Sequence, residues 1–372
     1  MKKLIAILLS LLLMCSIALP AFAIIYGDED DPYTDYGIAK GYVRTKEVSK
    51  SEGSTHTIAR TFNKQGKVTK ETDTWKSEGY TDKTIRKYTY DKKGRLTKEV
   101  DYLSDSISTT TYAYNKAGNV TQETRVFTYE DGSSSTTKST YAYDQKGNKI
   151  KEVTYLNDHI VTTTSIYDKK GRLTKETVVS AYENNESFTT VTTYTYDKAG
   201  NEIKRVTKSD NVDGVTKSTV TCVYDEKGRL IKYTETYSYS QETSKEVITY
   251  TYDKKGNKIK EVDKQSFGDG GKATRTVTST YDEKGNLIKE VYTDKTLWGS
   301  SKNTIGYVYD GNGRLKKETR VYKDGNGTEK TVQSLTYDKA GNLTKVVFTV
   351  QPAGDAPASK EVTTYTYQKI GA

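Results

Sequence analysis

The chain has 372 residues, 58 lysines and arginines against 49 aspartates and glutamates, a formal charge of +9, and only 33% hydrophobic residues. So thin a basic excess, recurring evenly instead of clustering, makes nucleic acid a poor partner, and 32 tyrosines must supply much of any core. Two histidines and two cysteines leave little material for a metal centre or a disulfide framework.

Met1-Lys2-Lys3, the apolar run Leu4 to Leu19 and Pro20-Ala21-Phe22-Ala23 are the three parts of a secretory signal peptide, residues 1–23, with cleavage expected after Ala23. The run is short for a membrane span, and no later stretch approaches that length. Cys15 lacks the small preceding residue that a lipidation site wants. Cleavage takes two lysines from the charge and leaves Cys222 as the only cysteine, so no intrachain disulfide can form. Residues 24–57 read as an acidic leader, with Asp28-Glu29-Asp30-Asp31 near its start, running into the first strands.

Residues 58–372 read as a repeat array whose unit is Tyr88-Thr89-Tyr90-Asp91-Lys92-Lys93-Gly94-Arg95-Leu96-Thr97-Lys98-Glu99. Apolar residues alternate on both sides of Asp91-Lys92-Lys93-Gly94, which is the signal of two strands. The aspartate, and a glycine free to take positive φ, suit a type I turn closed by a glycine bulge, hence a hairpin. Setting Asp91 opposite Arg95 puts Tyr90 against Leu96, Thr89 against Thr97, Tyr88 against Lys98 and Lys87 against Glu99. One face would then hold Tyr and Leu, the other Asp with Arg, Thr with Thr and Lys with Glu.

The aromatic residue and the glycine four places later recur twelve times, from Phe62/Gly66 to Tyr367/Gly371, at steps of 24 to 30 residues. Tyr90, Asp91 and Gly94, Tyr167, Asp168 and Gly171, and Tyr252, Asp253 and Gly256 are such structural sets. Each copy supplies two strands, a tight inner turn and a variable polar outer turn. The expected fold is all-β: tandem hairpins in one long antiparallel sheet, coiled as a spiral or solenoid. Aliphatic residues stand two places after the glycine in some copies (Leu96, Leu173) and three in others (Ile150, Ile203), so both faces should be partly covered. A solvated single-layer ribbon is the alternative.

Tyr-Asp-x-x-Gly-Arg-Leu-Thr, as at Tyr90 to Thr97 and Tyr167 to Thr174, resembles the YD repeat of Rhs-type proteins, over about residues 60 to 371. The resemblance implies hairpins in a spiralling sheet, in large secreted or surface proteins that enclose a C-terminal toxin or serve adhesion and glycan binding. The steps here are longer than that family's usual spacing, and no core signature or toxin domain is expected after the last copy.

No catalytic constellation, metal site or cofactor site emerges. His56 and His159 are far apart, and Cys222 takes the place of a repeat tyrosine, as a small filler or a thiol linking two molecules. Asp310-Gly311-Asn312-Gly313 and Asp324-Gly325-Asn326-Gly327 look like cation-loop fragments but read better as turns. Trp75, Trp298, Tyr80, Tyr182 and Tyr322 lie outside the tyrosine register and are the candidate ligand-binding residues, on which sugar rings could stack. The expected protein is secreted or envelope-associated, without a transmembrane segment once mature. It would be a non-catalytic binding or scaffold module for carbohydrate or an anionic wall polymer. The alternative is the shell of a toxin-delivery system whose toxin is encoded separately.

Overall fold

The computed structural model describes residues 38, 41–211, 214–239, 242–297, 299–354 and 356–369; the signal-peptide segment, the acidic run, Trp298 and Gly371 lie outside them. Alternating tyrosine, threonine, valine and lysine keep the backbone extended, and the described residues form 24 strands and no helix. The first twelve are β1 (Tyr42–Ser51), β2 (Ser54–Phe62), β3 (Val68–Ser77), β4 (Tyr80–Tyr90), β5 (Leu96–Tyr102), β6 (Ser106–Tyr114), β7 (Val120–Tyr129), β8 (Ser134–Tyr143), β9 (Lys149–Tyr155), β10 (His159–Tyr167), β11 (Leu173–Tyr182) and β12 (Ser187–Tyr196). The second twelve are β13 (Glu202–Asn211), β14 (Gly214–Tyr224), β15 (Leu230–Tyr239), β16 (Glu242–Tyr252), β17 (Lys258–Ser266), β18 (Lys272–Tyr281), β19 (Leu287–Thr296), β20 (Gly299–Tyr309), β21 (Leu315–Asp324), β22 (Gly327–Tyr337), β23 (Leu343–Gln351) and β24 (Ser359–Lys369).

The inner turns form as their chemistry dictates. In the Tyr90 copy the Gly94 N–H donates to the Asp91 carbonyl and the Asp91 N–H to the Arg95 carbonyl, each at 2.9 Å. Asp91 Oδ1 accepts the N–H groups of Lys93 and Arg95 at 2.8 and 2.9 Å. Gly94 sits at φ 75°, where an L side chain is strained.

Beyond the turn the register departs from the one expected. Tyr90 pairs with Leu96, but Thr89 pairs with Lys98, Tyr88 with Glu99 and Lys87 with Val100. Thr97 is therefore an extra residue, a bulge, with its hydroxyl on the Thr89 carbonyl at 3.1 Å. All eleven continuous inner-turn hairpins, nine begun by Asp and two by Asn63 and Asn115, shift at this point. With a side-chain period of two, one added residue sends everything after it to the opposite face. Glutamate joins tyrosine on one face, and lysine joins threonine and valine on the other. Both faces were expected to be partly covered, yet the buried apolar strand residues, Val220, Val277, Ile305, Leu343 and Val346, all lie on the tyrosine face.

Each strand pairs with its chain neighbours, and β1 pairs with β24, so the sheet is a closed barrel and not the expected open spiral. The closing pair is a repeat split between the two ends of the array. Tyr367 pairs with Arg44, Thr366 with Lys46 and Tyr365 with Glu47, across a bulge at Thr45 whose hydroxyl meets the Thr366 carbonyl at 3.1 Å. Arg44-Thr45-Lys46-Glu47 thus plays the part of Leu96-Thr97-Lys98-Glu99. An even strand number lets an up-and-down meander close with antiparallel pairing throughout.

Twenty-four strands at about 4.8 Å give a perimeter of about 115 Å and, for a circular section, a radius of about 18 Å before tilt widens it. No strand approaches any but its two neighbours within 8 Å between Cα atoms. In such a single-layer closed wall only the concave side crowds its side chains. Burial therefore marks the tyrosine face as the inward one, lining a lumen, with the lysine face outward.

Candidate functional site

The inward face is where chemistry converges, and the repeat builds it. Eleven repeat tyrosines donate their hydroxyl to a backbone carbonyl of the preceding copy, at 2.6 to 3.1 Å; Tyr90 reaches Val68 and Tyr252 reaches Leu230. In the other direction, in the four copies with an arginine after the glycine, that arginine covers the next copy's tyrosine: Arg95 lies 4.4 Å from the Tyr114 ring centre and Arg229 4.6 Å from that of Tyr252. The same arginine pairs back to its own turn, Arg95 Nε to Asp91 Oδ2 at 2.7 Å. Where the arginine is present, tyrosine, aspartate and arginine thus stitch three consecutive copies together.

Between these seams lie acidic residues. Glu71, Glu99, Glu123, Glu152, Glu176, Glu261, Glu290 and Glu318 each stand five residues after a turn glycine and face inward; Glu47 of β1 joins them. Glu290 accepts the Tyr307 and Tyr292 hydroxyls at 3.0 and 3.2 Å, and Glu235 those of Tyr233 and Ser218 at 2.6 and 2.7 Å. Arginines temper the face: Arg60 Nε meets Glu71 at 2.6 Å and Arg275 Nε meets Asp294 at 2.7 Å. Burial, then Glu71 and Glu99, pushes the Tyr88 hydroxyl up, and burial with Glu123 and Glu99 takes Tyr112 to about 12. Burial, then the Glu246 charge, pushes Asp263 up to about 6. Carboxylates crowd one another along this wall.

The aromatic candidates do not form one site. Trp75 on β3 packs against His56, ring centres 5.5 Å apart, and Tyr80 begins the adjoining β4 near the outer-turn rim. Tyr182, on β11, stacks on His159 at 4.6 Å and meets Phe188 edge-on, and Tyr322 lies on β21 opposite Asn303. All four are on the inward face toward the outer turns, separated by many strands except for Trp75 and Tyr80.

His56 bonds Asp73 at 2.6 Å and His159 bonds Asp158 at 2.6 Å. Cys222 stands opposite Tyr233, with its thiol pushed up by burial, so it is a poor nucleophile. Asp324 spends a carboxylate oxygen on the Asn326 N–H at 2.8 Å, and Asp310 on those of Asn312 and Arg314, as turn residues do. Among the described residues no group of three or more His, Cys, Asp or Glu could hold a metal. A cleft of about 350 Å³ lies between Lys330 and Ala358 and contains none of the aromatic candidates. The inward glutamates were visible as a recurrent glutamate after the turn, but the bulge hid which face they take.

Residues 90–130 match the family model for the RHS Repeat. That stretch is an RHS repeat. The same turn, bulge and tyrosine bond recur in copies far outside the matched residues. No curated protein matches the chain. Among solved structures, TcdB2-TccC3 without its hypervariable C-terminal region is similar at 14% identity and a TM-score of 0.42, over 82% of this chain and 18% of that one. A porin-like protein from Bacteroides uniformis is similar at 17% identity and a TM-score of 0.28, over 59% of this chain and 94% of that one.

Proposed function

We propose that this RHS-repeat protein is a non-catalytic shell whose lumen encloses a polypeptide guest. The observation that carries the reading is the closure of the wall through the split repeat of β24 and β1, which leaves a lumen lined by tyrosine, carboxylate and arginine. Charged walls keep a guest solvated without offering one fitted pocket. Carbohydrate binding has weaker support, because Trp75 and Tyr182 are packed against histidines and the remaining aromatics are dispersed.

The outward face speaks against a lipid-embedded barrel. Lys208, Lys245 and Lys302 are exposed within strands, and each such lysine at the bilayer midplane would cost about 2 to 4 kcal/mol. Among the described residues no helix is long and apolar enough to cross a membrane. We place the shell outside the cell or at the envelope, reached through the apolar run Leu4 to Leu19. Recovery from the medium of a chain starting at Ile24 would agree, and exclusive retention of Met1 in the cytoplasm would contradict it.

The guest test exploits the charge of the two faces. The protein is refolded with a fluorescent unfolded basic peptide, passed over a sizing column and treated with protease. A basic probe is repelled by the lysine face, so co-elution with protection places it inside. Failure to co-elute, or co-elution with rapid digestion, would overturn the shell reading.

A further inference from the structure

The bulge gives the outward face an electrostatic character that composition conceals. The lysine four residues after the turn glycine falls at one height in copy after copy: Lys204, Lys232, Lys260, Lys289, Lys317 and Lys345 occupy alternate strands from β13 to β23. Alternate strands are about 10 Å apart, so these ammonium groups form an evenly spaced girdle. Further lysines lie at other heights on this face, and every strand from β13 to β24 presents at least one, whereas β2, β6, β7, β10 and β12 present none. Among the described strand residues only Asp210 brings a carboxylate to this side, although the chain has 49 acidic residues.

The face also keeps repulsions that its own acids could have relieved. Lys70 stands directly opposite Lys87, Lys208 opposite Lys217 and Lys302 opposite Lys323. Like charges in direct cross-strand pairs are destabilising. Among the described residues none of these six lysines has an ion-pair partner, whereas the inward face pairs Arg60 with Glu71 and Arg275 with Asp294.

We propose that the outward face binds a flexible linear polyanion carrying phosphate charges, which wraps the barrel along the lysine girdle. A flat anionic membrane would touch one side only, while the lysines run round much of the wall and along the full strand length. Single-stranded nucleic acid would need aromatic platforms, and this face carries few rings, Tyr102 and Tyr155 among them. Lysine, a compact point charge, suits a polymer of repeated monodentate phosphates; the strand arginines, built for bidentate partners, all face inward. Binding of this kind releases counterions and so weakens steeply with salt.

Long-chain inorganic polyphosphate is the probe, with vesicles of phosphatidylglycerol and duplex DNA compared at equal phosphate. The full chain should bind polyphosphate at about 50 mM salt and lose at least about tenfold in affinity at about 200 mM. Replacing Lys204, Lys232, Lys260, Lys289, Lys317 and Lys345 by glutamine should weaken binding at least about tenfold, and replacing them by arginine should preserve it. The arginine variant guards against a folding artefact. No polyphosphate binding, equal binding by the glutamine variant, or preference for vesicles or duplex DNA would overturn the proposal.

Discussion

A repeat tyrosine here does two jobs with two parts of one side chain. At Tyr114, Tyr196, Tyr252 and Tyr337 the ring receives the arginine of the copy before and the hydroxyl bonds that copy's backbone, as Tyr252 does with Arg229 and the Leu230 carbonyl at 2.9 Å. Tyr252→Phe keeps the ring and removes the bond, and should cost about 1 kcal/mol in urea unfolding; Tyr252→Ala should cost more. Equal stability of Tyr252→Phe and wild type would show that water replaces the bond. Carboxylates act in opposing directions with pH. Backbone N–H groups, foremost those of Arg95 and Arg229, hold Asp91 and Asp225 below the ordinary 3.8. A lowered pKa adds stability that is present above the unfolded value and lost as pH falls through the folded one. Asp263 is the reverse: raised to about 6 by burial and then Glu246, it destabilises when ionised and is relieved as it protonates. The melting temperature should therefore rise from about pH 7 to about pH 5 and fall below about pH 4. In Asp263→Asn the rise should shrink, and a steady loss from pH 7 downward in wild type would contradict this account.

At the scale of the element, the bulge decides more than any single contact. Thr97 adds no large side chain, yet its presence places Lys98 outward and Glu99 inward. Deleting Thr97 should force β5 to bring lysine under the tyrosines or to slip from the Asp91 turn. We expect cooperative unfolding at a melting temperature several degrees below wild type, by about 2 kcal/mol or more. Thr97→Ala, which keeps the residue count, should be far milder. The split repeat makes a second prediction. Joining β24 to β1 through Asp-Lys-Lys-Gly and opening the chain at the Ser104 to Asp105 outer turn should give a permutant with the same strand content and an equal or higher melting temperature. Removing Tyr42–Ser51 instead leaves β2 and β24 with bare edges, and such a chain should elute as oligomers.

At the scale of the whole molecule, ring closure converts a local alternation into an inside and an outside. An open spiral would leave two edges and expose both faces alike. In the barrel, acids and arginines line a lumen while lysines meet solvent, although the net formal charge is only +9. Association with polyanions should thus exceed what the net charge implies, and basic guests should prefer the interior. Small-angle scattering offers a direct check: a hollow wall gives a radius of gyration larger than that of a compact protein of 41.7 kDa. A compact value would mean that the barrel collapses in solution.

The strands, their turns and their number were legible because they rest on short-range rules: alternation of period two, an aspartate that caps its own turn, and glycine where φ is positive. Twelve copies implied two dozen strands before any pairing was known. The face of each residue was not legible, because the bulge at Thr97 has no compositional mark; threonine fits a strand as well as a bulge. Closure was hidden for a different reason. Arg44-Thr45-Lys46-Glu47 looks like half of a repeat only once it is seen beside Tyr365, Thr366 and Tyr367, more than three hundred residues away. Local chemistry fixed the hairpin, and only the long-range pairing of β1 with β24 decided that hairpins make a vessel with differently charged walls.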